Sequence, residues 1–227
     1  MKKVVVLTGA GISAESGLKT FRDADGLWEG HNIMDVATPQ GWEANQELVL
    51  DFYNQRRKQL LSVEPNLAHK ALVKLEEKFN VTIITQNVDD LHERAGSSKI
   101  IHLHGELLKA RSSVDENAIQ EWKKDIRVGD LCARKSQLRP HIVWFGEEVP
   151  LLDEAAEAVM QADYVLIIGT SMQVYPAAGL MDYAPNNAKL YFIDPRPNVQ
   201  SSANLSVIAE NASTGVPKVV DQLLGNT

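Results

Sequence analysis

A glycine pair follows the first apolar run of the chain. The stretch "VVVLTGAGISAESGL" places Gly9 and Gly11 just after "VVVL". From Gly9 to Ala14 the sequence fits G-x-G-x-x-G/A, in which glycines allow a tight turn and a close approach to a pyrophosphate. The helix after such a turn presents unpaired N–H groups to the anion. The motif predicts that Gly9 and its neighbours bind a phosphate or a dinucleotide, although such turns also occur for steric reasons.

The acidic residue that would complete a dehydrogenase site is missing from its usual place. In such enzymes a second strand ends in Asp or Glu about 20 residues after the glycines, and this residue binds the ribose. Here that place holds "FRDADGLWEG", which is typical of a loop. A carboxylate occurs much later, at Asp194 in "KLYFIDP". Asp194 is therefore a candidate ribose ligand, and the alternative is a turn residue before Pro195.

Three polar side chains follow another apolar run, in "VTIITQNVDDLHERAG". Gln86, Asn87 and Asp89 would lie at the carboxyl end of a strand, where ligands bind in open α/β sheets. The Asn87 carboxamide can both donate to and accept from a second carboxamide, such as that of nicotinamide. The alternative is that Asn87 or Asp89 caps a helix over "DLHERA".

Two histidines, His102 and His104, lie two residues apart in "IIHLHGEL" and would share one face of a strand. They could be metal ligands with His141 as a third, hydrogen-bonded interior residues, or one of them a general base. His104 is the better candidate for the base, because it precedes Gly105 at the end of the run, where the chemistry should lie.

A tyrosine and an arginine are spaced to share one helical face. Tyr53 and Arg56 are three residues apart in "DFYNQRRKQL". Together they would offer a hydroxyl and a planar guanidinium to a carboxylate. The alternative is that Arg56, Arg57 and Lys58 form a solvated basic face.

The elements that must position these residues alternate between strand and helix. Apolar runs suited to a parallel sheet are "VVVLTG", "VTIITQN", "IIHLHGE", "HIVWFGE", "DYVLIIGTS" and "KLYFIDP". Helical patterns between them include "NLAHKALVKLEEKF", with Asn66 as its N-cap and Leu67 on its apolar face, and "LLDEAAEAVMQA". The alternation predicts a doubly wound α/β fold. Residues 26–64, with the helical run "EANQELVLDFYNQRRKQLL", and residues 108–140 interrupt it and should form a smaller lobe.

Composition narrows the class of protein. The 227 residues carry a formal net charge of −7, which argues against a nucleic-acid partner. Cys132 is the single cysteine, so an internal disulfide is impossible and an oxidising compartment has no support. No apolar run approaches the ~20 residues of a membrane span. We therefore expect a cytoplasmic protein with no membrane partner.

Taken together, these blocks resemble the sirtuins, which are NAD-dependent protein deacylases. The resemblance runs from "GAGISAESGLKTFRD" through "TQNVDDLHERAG", "HLHGEL" and "PHIVWFGE" to "GTSMQVYPAAGL". It implies a single catalytic domain over 1–227, with a large Rossmann-like lobe and a smaller inserted lobe. The large lobe would comprise 1–25, 65–107 and 141–227, and the small lobe 26–64 and 108–140.

The resemblance also implies roles for individual positions. The NAD phosphates and nicotinamide ribose would be lined by Ala10, Gly11, Ile12, Ala14, Phe21 and Arg22. The nicotinamide pocket would be formed by Gln86, Asn87 and Asp89. The loop and edge near the adenosine would include Gly169, Thr170, Ser171, Ala212 and Asp194, the last standing where many members have Asn. The acyl-lysine channel would be formed by Val143, Trp144, Phe145 and Gly146.

By the same resemblance, NAD is consumed as a co-substrate. The acyl-lysine oxygen would attack the nicotinamide ribose, nicotinamide would leave, and His104, with Asn87 beside it, would accept a proton from the ribose diol. The products would be lysine and O-acyl-ADP-ribose. Tyr53 and Arg56 fit the Tyr-x-x-Arg signature of members that remove succinyl and malonyl as well as acetyl groups, and Ala24 fits the small residue that leaves room for a longer acyl chain.

One departure concerns the zinc that most sirtuins bind through two cysteine pairs. A closed zinc site takes four protein ligands, but the corresponding segment holds Cys132 alone, and Ser112 and Ser113 lie where the first pair would begin. We therefore expect no zinc. A helix over "ENAIQEWKKDI", with Ile119 and Trp122 packed inward, would hold the segment instead.

Two other kinds of function remain open from the sequence. An ADP-ribosyltransferase or NAD glycohydrolase would use the same NAD site without an acyl-lysine partner. A non-catalytic module that senses NAD or ADP-ribose would not need His104 or Asn87. Acylated-lysine proteins or peptides are the partners that the deacylase interpretation predicts.

Overall fold

The computed structural model describes residues 1–19, 27–28 and 30–225. Within them the strands, in chain order, are β1 (Lys3–Thr8), β2 (Leu27–Trp28), β3 (His31–Asn32), β4 (Asn80–Thr85), β5 (Ile100–His102), β6 (Gly105–Ser112), β7 (Ile119–Glu121), β8 (Leu138–Ile142), β9 (Tyr164–Ile168), β10 (Lys189–Ile193) and β11 (Leu205–Ile208). The α-helices are α1 (Ala10–Ala14), α2 (Ile33–Val36), α3 (Pro39–Ala44), α4 (Gln46–Leu61), α5 (Leu67–Lys74), α6 (Leu91–Ala95), α7 (Leu152–Met160) and α8 (Ala212–Gly225). Short 3-10 helices cover Leu75–Glu77 and Ala177–Tyr183.

Six of the described strands form a parallel sheet in the order β11-β10-β9-β1-β4-β5. Thr8 at the end of β1 is in register with Thr85 of β4 and Ile168 of β9. The carboxyl ends of these three strands therefore lie side by side at one edge. This confirms the predicted Rossmann-like, doubly wound sheet.

Apolar side chains cover both faces of that sheet. On one face, Val4 and Val6 of β1 pack in a buried cluster with α5 and α8. On the other, Val5 and Leu7 pack with α7 and the 3-10 helix Ala177–Tyr183. Alternate residues of a strand point to opposite faces, so a strand that is buried on both faces needs the unbroken run "VVVL". In the described ranges, no helix combines the length and apolar character needed to cross a membrane.

The helices largely begin where the sequence predicts. Asn66 caps α5 by accepting a hydrogen bond from Ala68 N–H at 2.9 Å. Leu67, however, is 64% exposed, so placing it on the buried face was wrong. The long run after residue 43 is also divided, because Asn45 accepts from Leu48 N–H and starts α4 afresh after α3.

A second sheet, antiparallel and ordered β7-β6-β8, packs with α2, α3 and α4 in a third apolar cluster. That cluster draws on both segments that interrupt the alternation, and it also takes in Leu107 and Ile142. The prediction that "HIVWFGE" is a strand of the parallel sheet was wrong, because β8 pairs with β6 instead. An apolar run that is buried on both faces is typical of a parallel strand. Here β8 is antiparallel, and most of its residues are buried because helices and the rest of the second sheet pack around it.

The predicted helix over "ENAIQEWKKDI" was also wrong. Ile119 lies in β7, which pairs with β6, and it is 45% exposed. Trp122 does pack against the third cluster, as predicted, but its backbone N–H donates to Leu108 O at 2.7 Å. The neighbouring strand thus takes the backbone hydrogen bond that a helix would have used internally.

Serine hydroxyls surround the single thiol at the far end of the second sheet. Cys132 Sγ lies 3.0 Å from Ser136 Oγ and 3.4 Å from Ser112 Oγ, and the two hydroxyls are 2.8 Å apart. Arg134 forms an ion pair with Asp115 at 3.1 Å beside this group. One thiol and two hydroxyls do not fit the thiolate and imidazole ligands of a structural zinc site. Hydrogen bonds and an ion pair join the loops here.

We expect Ser136→Ala to lower the free energy of unfolding by about 1 kcal/mol, because it removes hydrogen bonds to Ser112 and Cys132. For a chain of this size the melting temperature should fall by roughly 2–4 °C in calorimetry. Ser113→Ala, at an exposed neighbouring serine, is the matched control and should change the melting temperature little.

Metal analysis should find far less than one zinc per chain, and a chelator should leave the melting temperature unchanged. Stoichiometric zinc would contradict this account.

Candidate functional site

One cavity of about 440 Å³ opens at the carboxyl edge of the parallel sheet and reaches the second lobe. Its lining includes most of the residues singled out from the sequence: Gly9, Ala10, Gly11, Ala14, Tyr53, Arg56, Gln86, Asn87, Asp89, His104, Val143, Trp144, Phe145, Gly146, Gly169, Thr170, Ser171, Asp194 and Ala212. Phe21, Arg22 and Ala24 lie outside the described residues. The fold thus brings together residues from both ends of the chain, such as Gly9 and Ala212.

Ile12 is the exception among the described positions. Its side chain is fully buried in the apolar cluster under α5 and α8 and does not line the cavity, so a role for Ile12 in binding NAD would have to use its backbone and stays a prediction. The helix α1 is only five residues long, and it turns this side chain toward the core.

The glycine turn after β1 packs directly on the turn after β9. Gly11 N–H donates to Gly169 O at 2.8 Å, and Gly9 N–H donates to Ile168 O at 3.0 Å. A Cβ on Gly11 would lie 2.6 Å from Gly169 Cα, and one on Gly9 would lie 2.7 Å from Gly169 O. Gly169 itself has a φ of +60°, a conformation that glycine adopts readily. Backbone packing alone therefore requires these glycines, and Gly9 and Gly11 also line the cavity.

A hydrogen-bonded group of Asn87, Ser13 and Asp89 stands beside this turn. Asn87 Nδ2 donates to Gly9 O at 3.1 Å and to Ser13 Oγ at 3.2 Å. Ser13 Oγ in turn donates to Asp89 Oδ2 at 2.8 Å. Asp89 Oδ1 accepts from the N–H of Leu91, the first residue of α6, but Asp90 occupies the N-cap position, so the alternative in which Asn87 or Asp89 is the N-cap was wrong. Burial raises the pKa of Asp89 to about 6.

Sequence reasoning missed Ser13. The signal was present, because Ser13 is a hydroxyl residue inside the glycine motif itself. Spacing alone did not show that this hydroxyl would turn toward the loop after β4 that carries Asn87 and Asp89. It is 2% exposed and lines the cavity.

The two histidines occupy different places. His102 ends β5, whereas His104 lies beyond it, so the prediction that they share one strand was wrong. The left-handed Gly105, with a φ of +81°, takes the chain into β6 at this point. Of the two, His104 lines the cavity.

His104 has the protonation state of a base. Its Nδ1 lies 3.0 Å from Gln86 O. A carbonyl can only accept, so Nδ1 carries the proton and Nε2 holds the lone pair. Burial lowers the pKa of His104, and the hydrogen bond to Gln86 only partly opposes this. The imidazole is therefore neutral at pH 7 and able to accept a proton.

The geometry argues against the alternative in which His102, His104 and His141 are metal ligands. Within the described part of the chain, the group of potential ligands that converges is Glu93, His102 and Glu106, without His104 or His141. Both ring nitrogens of His102 already face protein acceptors, Glu93 at 2.6 Å and Asn87 O at 3.3 Å. Glu106 is paired with Lys109 at 2.7 Å.

On the opposite side of the cavity, α4 presents Tyr53 and Arg56. Tyr53 is fully buried, and its hydroxyl accepts a hydrogen bond from Trp144 Nε1 at 3.0 Å. The Arg56 guanidinium lies 4.9 Å from the centre of the Phe52 ring. The alternative of a solvated basic face was wrong, because Arg57 is buried and donates to Leu107 O.

The loop from Val143 to Gly146 is held by a partly buried ion cluster. Glu147 pairs with Arg139 at 2.7 Å and with Arg111 at 3.2 Å. It also accepts from Trp144 N–H at 2.8 Å, and the Arg139 guanidinium stacks on the Trp144 ring. Burial acts to raise the pKa of Glu147, but the hydrogen bonds and charges around it outweigh this, so its pKa is lowered. Burial and the charge of Arg111 lower the pKa of Arg139, so both arginines depend on Glu147 for compensation.

At the far end of the cavity, Asp194 follows β10 and is 2% exposed. Its Oδ1 accepts from Arg196 N–H at 2.9 Å, so the turn alternative holds. The same residue also lines the cavity. Thr170 connects this end of the cavity to the loop after β4, because its hydroxyl accepts a hydrogen bond from Gln86 Nε2 at 3.2 Å.

The doubly wound sheet with a cavity at its carboxyl edge defines the Rossmann-like class of α/β protein. The sequence matches a family model described as Sir2 family over residues 9–176. The chain therefore belongs to the Sir2 family, which confirms the resemblance drawn from its motifs.

Relatives and solved structures agree with this assignment. An NAD-dependent protein deacylase from Helicobacter pylori is 60% identical over 225 residues, which cover 99% of this chain and 98% of the relative. One from Bacteroides thetaiotaomicron is 53% identical over 231 residues, covering 99% of each. A structure of a Sir2 homologue in complex with NAD has a TM-score of 0.87 and 37% identity, covering 99% of this chain and 90% of the other. A structure of Sir2 bound to acetylated peptide has a TM-score of 0.80 and 29% identity, covering 97% and 92%.

We expect Glu147→Gln to destabilise the protein by about 2–3 kcal/mol, because it leaves Arg111 and Arg139 without a compensating charge. Thermal unfolding near pH 7 should show a melting temperature lower by roughly 5–10 °C. Because the pKa of Glu147 is lowered in the folded state, its contribution is present above its ordinary pKa and lost as the pH falls through the folded value. The difference in melting temperature between the wild type and Glu147→Gln should therefore become smaller at acidic pH.

The adjacent, exposed Glu148 provides the control. Glu148→Gln removes the same charge one residue away and should leave the melting temperature nearly unchanged. Equal effects of the two substitutions would show that the ion cluster contributes nothing specific.

Proposed function

We propose that this Sir2 family enzyme, an NAD-dependent protein deacylase, removes acetyl, succinyl and malonyl groups from lysine side chains. Acyl-lysine, NAD and water would yield lysine, nicotinamide and O-acyl-ADP-ribose. The observation that carries the proposal is a single cavity that is lined at once by the glycine turn, by the neutral His104 and by Tyr53 and Arg56. The Sir2 neighbours described with NAD and with an acetylated peptide support the choice of both substrates.

The residues at the sheet edge suit a bound NAD. Gly9 and Gly11 line the cavity with backbone alone, which suits the close approach of a pyrophosphate. Asn87 and Asp89 offer a carboxamide and a carboxyl group for the nicotinamide end. Asp194, buried at the end of β10, is placed to accept from a ribose hydroxyl at the adenosine end. Bound here, NAD would supply the ribose hydroxyl to which the acyl group is transferred, with nicotinamide as the leaving group.

His104 would act on the ribose hydroxyls. Its Nδ1 is committed to Gln86 O, so Nε2 is the atom that accepts the proton. Because burial keeps the imidazole neutral, proton acceptance is available at physiological pH. Hydrogen bonding to the same loop that carries Asn87 holds the base at a fixed position relative to the nicotinamide pocket.

The second lobe would receive the acylated lysine. Trp144 is fixed by Glu147, Arg139 and the hydroxyl of Tyr53. Val143 N–H donates to His104 O at 2.9 Å, so the channel wall is tied directly to the segment that carries the base. A lysine entering along this wall would bring its acyl group close to His104.

We expect His104→Ala to reduce deacylation by about 10²–10⁴-fold while leaving NAD affinity within a few-fold, because a positioned base contributes to turnover rather than to binding. Mass spectrometry of acetyl- and succinyl-lysine peptides, incubated with and without NAD, measures the turnover, and calorimetry measures the binding. His141→Ala serves as the control, since His141 does not line the cavity. Nicotinamide release without any peptide would instead favour the glycohydrolase alternative.

Arg56 supports the preference for dicarboxylic acyl groups. It lines the same cavity as Trp144 and His104, so a succinyl or malonyl carboxylate could reach its guanidinium while the amide stays near the base. A planar guanidinium can form a bidentate pair with a carboxylate, whereas a lysine ammonium cannot. Acetyl groups lack the carboxylate and would not use this contact.

Arg56→Met should lower kcat/KM for a succinyl-lysine peptide by roughly 10–100-fold, which corresponds to one charge-assisted hydrogen bond. Activity on the acetylated form of the same peptide should change much less. Lys58→Met, a basic-to-Met change on the exposed side of the same helix, is the matched control. If Arg56→Met affects both acyl groups equally, or spares desuccinylation, the acyl preference is wrong.

A further inference from the structure

Two consecutive carbonyl oxygens in the loop after β4 are each held by a histidine. His104 Nδ1 lies 3.0 Å from Gln86 O, and His102 Nδ1 lies 3.3 Å from Asn87 O. The side chains of Gln86 and Asn87 form part of the cavity wall. The orientation of that wall therefore depends on both imidazoles, although His102 itself does not line the cavity.

His102 differs from His104 in what its second nitrogen contacts. Its Nε2 lies 2.6 Å from Glu93 Oε1, so the ring stands between a carbonyl and a carboxylate. Both of these groups only accept hydrogen bonds, whereas a neutral imidazole has a single N–H. The protonated ring alone can donate to both Asn87 O and Glu93. The geometry therefore holds His102 as a cation.

The surrounding charges favour that cation. The groups around the ring are Glu93 and His92 on α6, Glu106 and Lys109 on β6, and Asp89 in the loop. Burial acts to lower the pKa of His102, but the hydrogen bond and charge of Glu93 and the charge of Glu106 outweigh it, so the pKa is raised. Lys109 is paired with Glu106 at 2.7 Å, which moderates the effect of that carboxylate.

We infer that His102, paired with Glu93, is a positioning residue that orients Asn87 toward the nicotinamide end of the substrate. The inference rests on the proposed function, since it assigns Asn87 to the nicotinamide pocket. The protonated ring anchors Asn87 through its carbonyl oxygen, while the carboxamide of Asn87 is anchored by Gly9 O and Ser13 Oγ. With its main chain and its side chain both fixed, Asn87 meets the ligand in one orientation.

Loss of the proton should disturb this arrangement. A neutral His102 can satisfy Asn87 O or Glu93, but not both, so one acceptor is left facing a lone pair. The anchoring is therefore complete below the pKa of His102 and weakens as the pH rises through it. In Glu93→Gln, the new amide N–H can donate to Nε2 of a neutral ring, which leaves the Nδ1–H for Asn87 O at every pH.

The variants His102→Asn and His102→Leu form a matched pair, because the two side chains have nearly the same shape. Both remove the ring and its contact with Glu93, but Asn can still donate an N–H toward Asn87 O. Calorimetry should compare the binding of NAD with that of ADP-ribose, which lacks nicotinamide. We expect His102→Leu to weaken NAD binding by roughly three- to tenfold, the effect of one hydrogen bond. ADP-ribose binding should stay within about twofold, and His102→Asn should restore most of the loss.

The pH series is the second readout. From about pH 6 to about pH 9 the preference of the wild type for NAD over ADP-ribose should decline, since the pKa of His102 is raised and the ring loses its proton as the pH increases. In Glu93→Gln the preference should be nearly independent of pH. Parallel weakening of both ligands, or identical behaviour of His102→Asn and His102→Leu, would overturn the inference. These binding measurements need no turnover, so a wild type that fails to deacylate peptides would count against the proposed function and not against the role of His102.

Discussion

The contact between the glycine turn after β1 and the turn after β9 is the constraint on which the rest of the site depends. At Gly9, Gly11 and Gly169, a Cβ would meet main-chain atoms that cannot move aside. Gly169 N–H also donates to Ile193 O at the end of β10, and Asn87 reaches across to Gly9 O from the end of β4. The ends of four parallel strands are thereby fixed relative to one another before any side chain is placed for chemistry.

The second lobe is joined to this edge by polar contacts. Glu147 gathers two arginines and the backbone of Trp144, and Trp144 reaches the hydroxyl of Tyr53 on α4. Such a cluster costs desolvation of several charges, yet it specifies one orientation for the indole that apolar packing alone would leave less defined. The single thiol lies at the opposite end of the same sheet, among serine hydroxyls, so the wall near the cavity does not depend on cysteine ligands.

The sequence predicted five of the six strands of the parallel sheet, because each of them is an apolar run that ends in glycine or polar residues. The edge strand β11 was not among the predicted strands. The second sheet was not predictable in this way. Its strands β6, β7 and β8 are short or polar, and only pairing with one another makes them strands. The residues around Ile119 in the sequence are typical of a helix, but in the structure Ile119 pairs with Arg111 of β6 and forms a strand. Ser13 and Ile12 show the same limit within the site, because a one-residue difference in a short helix decides which side chain meets the cavity and which meets the core.

The position of the acidic residue Asp194 indicates which way round NAD would bind in the cavity. In the dehydrogenase pattern the ribose carboxylate ends the strand after the first helix. Here the chain leaves the sheet after α1 to build the second lobe. When it returns as β4 beside β1, the strand is followed by Gln86 and Asn87 and not by a carboxylate at its end. The carboxylate, Asp194, follows β10 on the other side of β1. Under the proposed function, adenosine would lie over β9 and β10, and the nicotinamide would lie over β1 and β4, where His104 and Trp144 stand. An NAD bound in this direction exposes its sugar–nicotinamide bond to the second lobe, and that is the arrangement a group transfer to a bound acyl-lysine requires.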